Sequence, residues 1–400
     1  MSQQTIPVNP ALLQWARMEA GLSLQEAAER AKITPPRQKK GEERLLPEDR
    51  LASWEQGTEA PSLNQLKQIA KAYHRPLLTF FLSEPPAQAE QPADFRTIPK
   101  HAFTKDTPEF SALKRRVIIL HRELKALADA DGSPELPFVG SCSPYSGVTG
   151  LISAIRKELR VKPEDQFRQQ NENTLLGYLR DRAHDAGIYV VFMGDLGSYH
   201  SRIEPEEFRG MALADSVVPL IVINKNDAKP AMLFTLIHEL AHIWLGTSAI
   251  SNTNGLGTNP VSNAVEKLCN ATAAEFLVPK DQIRAAWEGP GESLQQTVDE
   301  LAGKFKVSGA VIGRRLLDAR LIHGREYDEL LSFYQKRWDS LKSQAKARRG
   351  GPSPNMLAGY ALGKKTLTAF MQAVDNDRIT LQDASRVLNI PVSRFGKVMQ

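Results

Sequence analysis

Residues His238, Glu239 and His242 stand in the segment AMLFTLIHELAHIWLG, residues 231–246, with the spacing H-E-x-x-H. On a helix, side chains at i and i+4 lie one turn apart on one face, so both imidazoles can reach a single ion. The carboxylate between them then faces the side on which a water would be activated. The chemistry this arrangement supports is metal-assisted hydrolysis, with His238 and His242 as ligands and Glu239 as general base. Around them, Leu233, Phe234, Leu236, Ile237, Leu240 and Ile243 make the helix apolar on nearly every side, as a buried helix should be. Three titratable groups inside such a run need partners, and a zinc ion satisfies all three.

A catalytic zinc takes three protein ligands and keeps a fourth position open. Downstream, VEKLCNATAAEFLVPK offers Glu266 and Glu275. Glu266 is followed at i+4 by Asn270, so the two share a helix face, with the carboxylate as ligand and the amide steadying a neighbouring ligand. Glu266 is therefore preferred, and Glu275 is expected to cap or to form an ion pair. Two imidazoles and a carboxylate suit zinc without excluding other divalent ions. Tyr199, His200 and His184 are the possible oxyanion donors, and none is singled out. The strand VVPLIVIN is expected to pair with an extended peptide at its edge.

The elements that must position these groups are readable from spacing and capping. GIYVVFM, FRGMALAD and VVPLIVIN are short runs expected to form strands packed against helices. Asn226 or Asp227 is expected to cap the site helix, which runs to Gly246, and a further helix covers 261–277. Helices are also expected over 108–131, 147–160 and 172–186. Residues 10–83 predict a bundle of five short helices: Ser23 with Glu26 and Ser62 with Gln65 form capping boxes, Pro47 opens a helix that stops at Gly57, and PLLTFFL is a last apolar helix. The predicted class is α+β, mostly helical, with a small sheet in the middle of the chain. The expected organisation is an N-terminal bundle over 1–84, a Pro- and Gln-rich linker over 85–107, a catalytic domain over 108–345, and a basic linker with a helical segment over 346–400.

The chain has 400 residues, 42% hydrophobic and 24% charged, with a net charge of +5. These values exclude wholesale disorder. Residues 1–84 carry 11 basic and 10 acidic side chains and residues 85–324 carry 27 and 29, whereas residues 325–400 carry 13 and 7. The basic excess thus sits around Lys346, Arg348 and Arg349, where a solvated linker is expected. Cys142 and Cys269 are too few for a disulfide framework. No apolar run reaches the roughly 18–20 residues of a membrane span and the N-terminus lacks a signal-peptide pattern, so the cytoplasm is the expected location.

Taken together, FRGMALAD, PLIVINKND, FTLIHELAHIWLG and VEKLCNATAAEFLVP, with GLSLQEAAERA and LASWEQGTEAPSLNQLKQIAKAYHRPLLTFFL upstream, resemble the ImmA/IrrE-type metallo-endopeptidases fused to an Xre-type helix-turn-helix domain. The resemblance implies a gluzincin-like zinc site, with His238, His242 and Glu266 as ligands and Glu239 as base. It further implies a protein substrate, a transcription regulator in stress or mobile-element control, and it makes a toxin partner conceivable. The sequence departs from a compact helix-turn-helix through KITPPRQKKGEERLLP, where a tight turn is usual, and through Glu48 and Asp49 at the start of the next helix, which argues against DNA binding. The alternative is a non-enzymatic regulator or antitoxin-like module that binds DNA or a partner protein.

Overall fold

The computed structural model describes every residue except 1–7, 36–45, 87–105, 199–200, 252–259, 346–353 and 399–400. It separates into two compact units, one of residues 1–93, 103–118 and 195–203, and one of 94–102, 119–194 and 204–400.

In the first unit, helices Pro10–Glu19, Leu24–Arg30, Pro47–Glu55 and Leu63–Ala72 are followed by a 3₁₀ turn, Leu77–Phe81, where a fifth α-helix was expected. Their starts follow local chemistry: Asn9 accepts from the Ala11 amide, and both capping boxes, Ser23–Glu26 and Ser62–Gln65, close in both directions. Asp49 accepts from the Leu46 amide at 2.7 Å, so an acidic residue serves the helix start. Leu13, Leu51, Trp54, Leu66, Ile69 and Phe80 form the core. The half-buried Trp15 carries the Arg75 guanidinium on its face, 4.4 Å from the ring centre. The turn KITPPRQKKGEERLLP lies largely outside the described residues, as do Lys346, Arg348 and Arg349.

The second unit holds a four-stranded mixed sheet in the order β1-β3-β2-β4, formed by Tyr189–Met193 (β1), Gly210–Leu213 (β2), Leu220–Asn224 (β3) and Ala249–Ser251 (β4). β3 runs parallel to β1 and antiparallel to β2. Every residue of β3 is buried, which explains its unbroken apolar sequence. Its position between β1 and β2 also corrects one expectation. VVPLIVIN has no free edge, and the edges of the sheet are β1 and β4.

Against the sheet pack the site helix, Lys229–Trp244, and helix Glu172–Asp185, while the ligand helix, Pro260–Leu277, and helix Gly147–Leu159 pack on the site helix and share its core. Leu236, Ile237, Leu240 and Ile243 are fully buried, each a position where truncation to Ala would cost about 2–5 kcal/mol. Further helices follow from Lys280 to Ala345. A last pair, Pro354–Asp375 and Leu381–Leu388, lies near the C-terminus. Helix Pro354–Asp375 is broken at Gly363, where φ is +76° and ψ 157°.

Candidate metal centre

The site helix is placed by both of its ends. At its start the capping residue is Ala228, with no side-chain cap, and not Asn226 or Asp227 as the sequence suggested. Asn226 donates to the Gly194 carbonyl at 2.6 Å, and the buried Asp227 carboxylate accepts from the Ala228 amide at 2.8 Å and lies 3.5 Å from Arg209. At its end, the Gly246 amide donates to Ile243 O and the Thr247 amide to His242 O, with Gly246 at φ +64°. This is the Schellman pattern, which needs a left-handed residue one place beyond the cap. The irregular segment before helix Gly147–Leu159 supplies further donors to these terminal carbonyls. There the Gly140 and Cys142 amides donate to Ile243 O and Trp244 O at 3.0 and 2.9 Å. Gly140 and Gly246 meet backbone to backbone, and Phe138 stacks on Trp244 with ring centres 4.7 Å apart.

The turn that stops the helix also serves the site. Thr247 Oγ1 lies 2.9 Å from His242 Nδ1, while on the ligand helix Asn270 Oδ1 lies 3.1 Å from His238 Nδ1. An amide oxygen only accepts, so His238 carries its proton on Nδ1 and its Nε2 presents a lone pair. The Thr247 hydroxyl can take the same part for His242. One turn before Asn270, Glu266 turns inward, its oxygens 3.3 Å from His238 Nε2 and 3.2 Å from His242 Nε2. The two Nε2 atoms are 3.1 Å apart.

Thus three lone-pair donors face one another within a single small volume, and they repel unless a positive charge lies among them. Burial alone would raise the Glu266 carboxyl, but its contacts with His238 and His242 hold it down to about 2. Burial likewise works against a charged His238, and Glu266 overrides it to raise that imidazole. Both shifts belong to the protonated cluster, in which an imidazolium supplies the positive charge beside the carboxylate. Zinc bonds of about 2.0–2.1 Å at tetrahedral angles set donors about 3.3–3.4 Å apart, close to the separations of 3.1–3.3 Å here. Among the described residues this is the group of histidines and carboxylates that could hold a metal. The donor set and its spacing fit zinc.

Glu239 is fully buried beside these ligands. A Cβ at Gly210 would overlap the Glu239 carboxylate and the Thr235 methyl group, so β2 passes the base at a distance only glycine permits. Gly210, Thr235 and Thr247 were not foreseen in the sequence, although the last follows a helix-ending glycine and could have been sought there. Glu275 faces away from the cluster, pairing with Arg315 and accepting from the Lys280 amide. His184 is bonded to Val190 O at 3.3 Å and stands outside the cluster. Tyr199 and His200 lie outside the described residues. Beside Asn270 opens a mainly apolar pocket of about 590 Å³, with Ala231, Phe234 and Val311 in its wall and Arg209 and Lys267 beside them.

With this geometry in view, comparison with known families gives one match: the model of the peptidase family Peptidase_M78, the IrrE N-terminal-like domain, fits residues 183–317. The match supports an ImmA/IrrE-type peptidase. It spans the sheet, the site helix and the ligand helix, and so contains His238, Glu239, His242 and Glu266. No curated protein and no solved structure matches the chain. No helix of the described residues is long and apolar enough to cross a membrane.

Proposed function

We propose that the chain is a zinc-dependent endopeptidase of the gluzincin type that cleaves a regulatory protein such as a transcriptional repressor. The observation that carries this reading is the convergence of His238 Nε2, His242 Nε2 and the Glu266 carboxylate on one volume, with the Glu239 carboxylate on the same helix. When bound there, zinc supplies an electrophile that acidifies water and polarises a peptide carbonyl.

The chain's own residues do the rest. His238, His242 and Glu266 hold the ion, while Asn270 and Thr247 keep each Nδ1 proton engaged so that both Nε2 atoms remain ligands. A Glu239 carboxylate oxygen takes the proton of the attacking water and returns it to the leaving amine. Gly210 leaves the space in which that carboxylate sits. The apolar pocket beside Asn270 suits an aliphatic or aromatic side chain of an extended substrate.

Purified protein should cleave a regulator substrate, stop when a chelator removes the metal, and resume when zinc is returned. Glu239→Gln should bind the same substrate without cutting it. Cleavage that survives Glu239→Gln, or that survives His242→Ala, would refute the mechanism.

A further inference from the structure

A second cavity, of about 1080 Å³, opens elsewhere in the same unit, between helix Glu172–Asp185, the end of helix Pro108–Ala130 and the C-terminal helix Pro354–Asp375. Helices that pack on one another in a core face each other with apolar stripes. Here the C-terminal helix instead presents Lys365, Thr368 and Gln372 toward the space, at steps of three and four residues, interleaved with the small Ala369 and Ala373, and Asn376 follows just past its end. A helix face that is polar and small, lining a cavity that opens to solvent, suits a polar occupant.

The charges in this cavity are not equivalent. Of its four cations two are already matched, Arg182 with Asp185 and Arg378 with Asp131, and Lys364 is exposed to solvent. Lys365 differs from all three. Its ammonium lies 4.8 Å from the centre of the Tyr189 ring, and among the described residues it forms no ion pair. Burial lowers its pKa, and the distant Asp185 only partly opposes this. A half-buried cation held over an aromatic face and lacking a carboxylate is incompletely compensated. Thr368 and Gln372 make no side-chain hydrogen bond among the described residues, so they remain available to hydroxyl groups. At the back of the cavity His184 spends Nε2 on the Val190 carbonyl and leaves Nδ1 without a partner among the described residues. The neighbouring Asp181 and Asp375 are exposed at the cavity's outer side, where they favour hydroxyl or amine groups over a second anionic group.

We propose that this cavity binds a small hydroxylated anion, a sugar phosphate or a sugar acid, with its charged group at Lys365 and its hydroxyls toward Thr368 and Gln372. Its volume is of the size that small-molecule sites have. The ligand would bridge the C-terminal helix to helix Glu172–Asp185, and its binding would therefore stabilise the docked form of that helix. The site is separate from the metal centre and does not depend on peptidase activity.

The test uses the full chain with ribose 5-phosphate, gluconate and neutral ribose, followed by thermal denaturation and titration calorimetry. An anion that binds should raise the melting temperature by about 3 °C at a tenfold excess over its dissociation constant, whereas ribose should not. A response to ribose 5-phosphate alone identifies a phosphate site, and a response to gluconate alone a carboxylate site. Lys365→Gln should weaken binding about tenfold or more, and Lys365→Arg should retain it, which separates lost recognition from lost folding. The proposal is overturned if neither anion binds, if ribose binds as well as they do, or if Lys365→Gln binds unchanged.

Discussion

Two buried polar clusters in the larger unit invite comparison. At the candidate metal centre, two ring nitrogens and a carboxylate converge at 3.1–3.3 Å from one another. Beneath the C-terminal helix, Arg180, only 5% exposed, is ringed by acceptors. Its guanidinium donates to Val190 O in β1 and to Tyr360 O and Ala361 O, and it lies 4.1 Å from the centre of the Phe192 ring. Burial lowers its pKa to about 10, which leaves it charged at neutral pH. The first cluster is a set of donors to a cation that the chain does not itself supply. The second is a cation whose acceptors are all in place. Polarity in a core therefore does not by itself mark function; what separates the two is whether the chain's own side chains supply both charge and countercharge.

If that distinction holds, the two clusters should break differently. The largest effect should come from Glu239→Gln, which keeps the three ligands and so should retain zinc while activity falls by about 10²–10⁴-fold. Loss of zinc together with activity would instead mean that Glu239 belongs to the ligand set. Arg180→Ala should leave activity per bound zinc near that of wild type. It removes the guanidinium donors to the part-buried Tyr360 and Ala361 carbonyls and leaves the buried Val190 carbonyl with His184 alone, and urea denaturation should show a loss of about 3 kcal/mol. An unchanged midpoint would show that the arginine is not structural. Asn270→Ala should come next, lowering zinc affinity by about 10–100-fold in a competition assay. No change there would remove the argument from tautomer control.

The smallest effect concerns pH and belongs to the structural cluster. His184 is packed beside Arg180 and Lys365, and burial together with those cations lowers its pKa to about 4. An unfolded histidine titrates near about 6.5, so between these values the unfolded chain binds more protons than the folded one. The associated stability is complete above about 6.5 and is lost as the pH falls toward about 4. The urea midpoint should therefore be lower at pH 5 than at pH 7, by less in His184→Gln than in wild type. An equal drop in both would assign the effect to other groups.

Much of the candidate site's geometry could be read from the sequence because its determinants are local. The i, i+4 spacings of His238 with His242 and of Glu266 with Asn270 fix which side chains share a face. The capping boxes at Ser23 and Ser62 are likewise local, and so are the bounds of most helices. What could not be read depends on tertiary pairing. The place of β3 in the middle of the sheet, the pairing of Ala249–Ser251 with β2, and the approach of Gly210 to Glu239 all depend on which strand lies beside which. Nothing in a lone apolar run states its neighbours. The start of the site helix was misplaced for the same reason, since Asn226 and Asp227 are good capping residues taken by the Gly194 carbonyl and by Arg209.

The central claim is that His238, His242 and Glu266 are the ligands of a zinc site. Metal content by mass spectrometry, on purified wild type beside His242→Ala and Glu266→Ala, tests it directly. The account predicts one zinc per wild-type chain and loss of zinc in both variants, each still folded by circular dichroism. A wild-type protein that takes up no zinc after incubation with it, or variants that keep it, would contradict the account.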